Sequence, residues 1–84
     1  MKAEIRVTGS SEKLKSECFQ ALNIVNPDQW YVENGTDYVL HFRSKAKATE
    51  ALQVLKRKLK YYRDEVSYKY ASYVETGGVR AELK

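Results

Sequence analysis

The chain is short of the residues that most protein chemistry relies on. Its 84 residues include one cysteine, Cys18, one histidine, His41, one proline, Pro27, and four glycines. A lone cysteine forms no internal disulfide, so nothing asks for an oxidising compartment and a cytoplasmic setting is expected. One Cys and one His do not complete a zinc site, and no run of Asp and Glu has calcium-loop spacing. No metal or cofactor is therefore expected. A catalytic histidine needs an orienting carboxylate and a nucleophile, and no spacing around His41 suggests them. No catalytic residue is predicted, and the chain reads as a non-enzyme. His41 reads as a strand residue on the solvent side of a sheet or at a partner surface. Cys18 lies on the apolar stripe of a helix and reads as a small buried hydrophobe. No apolar run approaches the ~20 residues that span a bilayer. The opening MKAEIRVTG reads as a strand rather than a signal peptide, and no membrane partner is expected.

What the chain has is one domain's length and an uneven charge. From Arg43 to Arg63 there are eight basic residues and one acid, Glu50, a net +7; the rest carries seven basic and ten acidic residues, a net −3. A mildly acidic body thus bears one strongly basic element, which steers anionic partners. Only Glu50 offers an ion-pair partner within that element, so its lysines are not laced into i,i+4 pairs. Lys56, Arg57 and Lys60, joined by Arg63, are the predicted phosphate contacts, with Lys45 and Arg43 further along the same element.

The order of elements follows from periodicity. Ala3, Ile5 and Val7 alternate with polar residues as a half-buried strand. Thr8-Gly9-Ser10-Ser11 breaks it and offers helix caps, with Glu12 suited to the first turn. Leu14, Cys18, Ala21 and Leu22 follow helical spacing until Asn26-Pro27-Asp28. Trp30–Glu33, Asn34-Gly35 and Thr36–Arg43 read as a β-hairpin. A two-residue loop sets Tyr31 opposite Tyr38; a longer, bulged loop moves Trp30 and Val32 to the Leu40 face. Ser44 caps a second helix running to about Tyr62, with Ala48, Leu52, Leu55, Leu59 and Tyr62 as its apolar stripe. Val66–Val74 alternates as a strand, Glu75-Thr76-Gly77-Gly78 turns the chain, and Val79, Ala81 and Leu83 alternate with Arg80, Glu82 and Lys84. The result is β-α-β-β-α-β-β, an α+β two-layer sandwich with both helices on one face of an antiparallel sheet. A ferredoxin-like arrangement with an added edge strand is the first expectation and a KH-like one the alternative.

Five of the seven tyrosines crowd into YYRDEVSYKYASYV, residues 61–74. Rings on an open sheet stack bases in RNA-recognition domains. The hallmark of those domains fails in GTDYVLHF, residues 35–42, where Asp37 and Val39 stand at the stacking positions. Tyr68 and Tyr70 share a face with Val66 and Val74 and are expected in the core first, then in an interface, with base stacking as the third alternative. Tyr31 and Tyr73 are expected to be exposed, available for stacking or contact.

The run from Ala3 to Leu59, including Asn26-Pro27-Asp28 and Phe42-Arg43-Ser44, resembles the small dimer-forming subunit family of the KEOPS complex, which makes threonylcarbamoyladenosine on transfer RNA. That resemblance lies in the order and lengths of the elements. It implies a non-catalytic subunit that dimerises through its sheet and bridges copies of a catalytic partner. The chain departs from the family where Leu52-Gln53-Val54-Leu55-Lys56-Arg57 replaces an arginine followed by Asn-Ser, and where it continues past the second helix. The functional expectation is a small basic binding module for nucleic acid, RNA before DNA, alone or as an accessory subunit of an RNA-processing assembly. The alternative is a protein–protein module, either a dimerising subunit or a phage-type inhibitor docking on an acidic surface.

Overall fold

A computed structural model describes residues 2–9 and 11–83, the Leu83 side chain excepted. Ser10 and Lys84, expected in the first turn and the last strand, lie outside the described residues. The elements are β1 (Lys2–Thr8), α1 (Glu12–Val25), β2 (Gln29–Glu33), β3 (Asp37–Phe42), α2 (Lys45–Lys58), a 3₁₀ turn (Lys60–Tyr62), β4 (Ser67–Thr76) and β5 (Val79–Leu83). They build one five-stranded sheet in the order β2-β3-β1-β4-β5, each neighbour antiparallel. Each helix carries the chain over one intervening strand: α1 from β1 to β2 past β3, and α2 from β3 to β4 past β1. This interleaving is the ferredoxin-like arrangement, with β5 added at the β4 edge.

Local chemistry sets the helix ends. The Ser11 hydroxyl accepts from the Leu14 N–H at 3.1 Å, and Glu12 sits in the first turn of α1. Asn26 closes α1 in the left-handed region (φ 47°), its N–H donating to the Leu22 carbonyl at 2.9 Å. Pro27 then prevents continuation. At α2 the Ser44 hydroxyl accepts from the Lys47 N–H at 3.1 Å. The regular helix stops at Lys58, short of the predicted Tyr62, and Tyr62 N–H donates to Leu59 C=O at 2.9 Å in the 3₁₀ turn. Three-residue spacing brings Leu59 and Tyr62 to one side, where both pack on the core.

The core lies between the helices and one sheet face. Ala3, Ile5 and Val7 meet Tyr38, Leu40 and Phe42 below Leu14, Cys18 and Ala21 of α1 and Ala48, Leu55 and Leu59 of α2. Ala51 joins them, although the predicted stripe omitted it. Cys18 is buried, and burial pushes its thiol up to about 11. The hairpin takes the longer loop: Val32 faces Tyr38 and Trp30 faces Leu40, with Asn34 (φ 56°) and Gly35 (φ 72°) in the loop. Phe19 of α1 explains this register, since its ring meets Trp30 and Tyr38 edge-on at 5.8 and 5.5 Å. The second hairpin turns tightly at Gly77 (φ 58°) and Gly78 (φ 82°), so Thr76 still pairs with Val79.

Candidate nucleic-acid interface

The last turn of α2 and the 3₁₀ turn present Lys56, Arg57, Lys58, Lys60 and Arg63 to solvent. No carboxylate among the described residues lies within 4.0 Å of these five cations, whereas the chain forms ion pairs elsewhere. Cations at a helix C-terminus face the negative end of its dipole, so the position tolerates their mutual repulsion. Two grooves flank the cluster. Lys56, Lys60 and Arg63 line one of about 420 Å³ with Leu59, Val66 and Tyr68; Arg57, Lys58 and Lys60 line the other, of about 470 Å³, with Glu17, Tyr61 and Tyr62. Lys60 belongs to both, which joins the four cations expected to contact phosphate into one surface.

Arg43 and Lys45 do not join that surface. They sit at the opposite end of α2, which at 1.5 Å per residue lies about 20 Å away. Arg43 and Lys47 both approach the Asp28 carboxylate, at 3.9 and 3.7 Å. The Arg43 backbone N–H donates to Asp28 at 2.8 Å, and this bond above all holds that carboxyl below its ordinary range.

The tyrosines divide. Tyr68 packs against the core, its hydroxyl donating to the Leu55 carbonyl at 3.5 Å, and burial pushes its phenol up to about 12. Tyr70 is 38 % exposed, and its hydroxyl accepts from Ser72. Tyr31 is exposed as expected. Tyr73 is not: it is 3 % exposed, because Arg80 lies over its ring at 4.2 Å and His41 abuts it edge-on. Tyr61 received no role from the sequence, yet it is 85 % exposed among the cations, with the Lys60 ammonium 5.2 Å from its ring centre. Its signal was available: Tyr62 falls on the apolar stripe of α2, and Tyr61 does not.

The sheet face without helices carries several separate groups of ion pairs. Arg6 bridges Asp37 and Glu33 at 2.9 Å each, which lowers the Asp37 carboxyl, and Lys2 approaches Glu75 at 3.5 Å. Arg80 reaches from β5 across β4 to Glu4 of β1 at 2.8 Å. His41 places Nε2 3.8 Å from Glu4, its Nδ1 shares a hydrogen bond with the Tyr73 hydroxyl at 2.8 Å, and the ring stacks on Tyr31. Burial lowers the His41 pKa from 6.5, against the pull of Glu4. Among the described residues, Lys2, Arg6 and Arg80 of this face spend their charge on neighbouring carboxylates, while Lys69, opposite Arg6, and the cations at the end of α2 do not.

No family model, curated protein or solved structure matches the chain.

Proposed function

We propose that this protein is a non-enzymatic nucleic-acid-binding module that grips phosphates with Lys56, Arg57, Lys60 and Arg63. The observation that carries the reading is the group of exposed cations at the end of α2, which have no carboxylate partner among the described residues. Such a group gains affinity by releasing counterions from a phosphate backbone. Grooves on both sides give a strand room to follow the cations. RNA is the first expected ligand, and DNA is the comparison.

Fluorescence anisotropy with labelled single-stranded and duplex RNA and DNA, across salt, tests this. Four phosphate contacts predict a log-affinity slope of about −3 against log salt for single strands. The triple variant Lys56→Glu, Arg57→Glu, Lys60→Glu should abolish binding. Absence of wild-type binding at low salt, or an unchanged affinity in the triple variant, ends the proposal.

A second reading, protein interaction, draws on a different place. Edge strand β2 exposes Trp30, Tyr31 and Val32, and Phe19 extends the apolar surface beside it. Unpaired strand edges flanked by apolar side chains suit β-augmentation by another chain. An accessory subunit of an RNA-processing assembly, as the KEOPS resemblance implies, combines both readings: the end of α2 holds RNA while the β2 edge holds a protein or a second copy. Light scattering after size exclusion checks self-association. A strict monomer in which Val32→Arg changes no partner binding removes this second reading.

A further inference from the structure

We infer that Tyr61 is a base-stacking platform set among the phosphate-binding cations, so that the site takes single-stranded nucleic acid in preference to duplex. The inference rests on the proposed role of the α2 terminus and assigns that site its ligand class.

The ring is presented on a fixed piece of backbone. Leu59 N–H donates to Leu55 C=O at 2.9 Å, Tyr62 N–H to Leu59 C=O at 2.9 Å, and Val66 N–H to Tyr62 C=O at 3.0 Å. Leu59, two residues before Tyr61, is fully buried, and Tyr62, just after it, packs on the core, so the backbone that carries Tyr61 is held at both ends. The 3₁₀ turn between Leu59 and Tyr62 directs Lys60 and Tyr61 outward, leaving Tyr61 85 % exposed. The backbone beneath the ring therefore has little conformational freedom left to lose when a flat partner settles on it.

Isolated exposed aromatics are ordinary on protein surfaces. The surroundings of Tyr61 are not. Its ring shares a groove with Arg57, Lys58 and Lys60, and the Lys60 ammonium stands 5.2 Å from the ring centre. A strand whose phosphates lie on these cations brings an adjacent base within reach of the ring. Stacking asks only for a free π-face, which every unpaired base has. A duplex buries those faces between its own base pairs and offers the ring only backbone. The cations therefore serve both forms, and the ring serves one. Tyr68, by contrast, is tied into the core through its hydroxyl bond to Leu55.

The test is anisotropy titration of the full chain with labelled oligouridylate of about 15 nucleotides, and with an RNA duplex of the same length. Wild type should bind the single strand more tightly than the duplex. Tyr61→Ala should lose roughly tenfold on the single strand and nothing on the duplex. Tyr61→Phe should match wild type, because the ring face rather than the hydroxyl acts. Thermal melts should show Tyr61→Ala as stable as wild type, given the exposure of the side chain. If Tyr61→Ala leaves single-strand affinity unchanged, or weakens both probes equally, the stacking role is wrong. If the Lys56→Glu, Arg57→Glu, Lys60→Glu variant has by then lost binding, the phosphate site survives that result. If the triple variant binds like wild type, the underlying site fails instead.

Discussion

Replacing Arg80 with methionine removes a guanidinium that reaches from β5 across β4 to β1. Arg80 donates to Glu4 at 2.8 Å and to Glu82 at 2.9 Å, and lies 4.2 Å from the Tyr73 ring centre. The Glu4 side chain is only 12 % exposed, so its carboxylate loses a charged hydrogen bond where water cannot fully replace it. A hydrogen bond to a charged group contributes about 1.5–3 kcal/mol, and a partly exposed cation–π contact about 0.5–1 kcal/mol. The Arg80 side chain is itself 32 % exposed, which places the sum near the lower end, at about 2 kcal/mol. The Glu82 contact is on the surface and adds little. For a domain of this size the loss lowers the Tm by about 10 °C. Methionine keeps an apolar stem over Tyr73, so the change reports mainly on charge. A second readout comes from His41, whose ring signals in proton NMR are free of overlap with other histidines because the chain has one. Burial lowers its pKa from 6.5, Glu4 raises it and Arg80 lowers it. Without Arg80 the pKa must rise. A folded pKa below the unfolded one gives stability that is complete above 6.5 and is lost as pH falls from there through the folded value. Arg80→Met should therefore narrow the gap and flatten that decline. A loss under about 0.5 kcal/mol together with an unmoved His41 titration would refute the argument.

Other consequences are simpler. Gly9 is buried beside Leu14, and a Cβ there would run into the Leu14 side chain, so Gly9→Ala should cost about 1–3 kcal/mol in urea unfolding. An unchanged midpoint would show that Leu14 can move aside. The carboxyls of Asp37, held low chiefly by Arg6, and of Asp28, held low chiefly by the Arg43 N–H, stabilise the fold above 3.8 and lose that contribution as pH falls through their folded values. Melts near neutrality and at about pH 3 should therefore differ less in Asp37→Asn than in wild type. Equal losses would remove Asp37 from the account of acid stability.

Much of the architecture was legible because it depends on neighbours in the chain. Ser11 and Ser44 cap helices through contacts three residues away, and Asn26-Pro27 stops α1 by backbone geometry alone. The alternation of Ala3, Ile5 and Val7 names the buried face of β1 in any fold that covers one side of a sheet. The cluster of Lys56, Arg57, Lys60 and Arg63 was visible for the same reason, since one helix end keeps them together. Arg43 and Lys45 looked like members because they are close in sequence, and the length of α2 separates them.

By itself, then, the sequence determined the elements, their caps and the charge of α2, all products of short-range sterics and periodicity. Tertiary structure decided what depends on residues far apart in the chain. The hairpin register was open until Phe19 met Trp30 and Tyr38. Tyr73 looked exposed until β5 folded back and laid Arg80 over it, and Tyr61 looked ordinary until the 3₁₀ turn set Tyr62 against the core and left the Tyr61 ring outside. Burial is a property of what the rest of the chain covers, and no window of local sequence contains it.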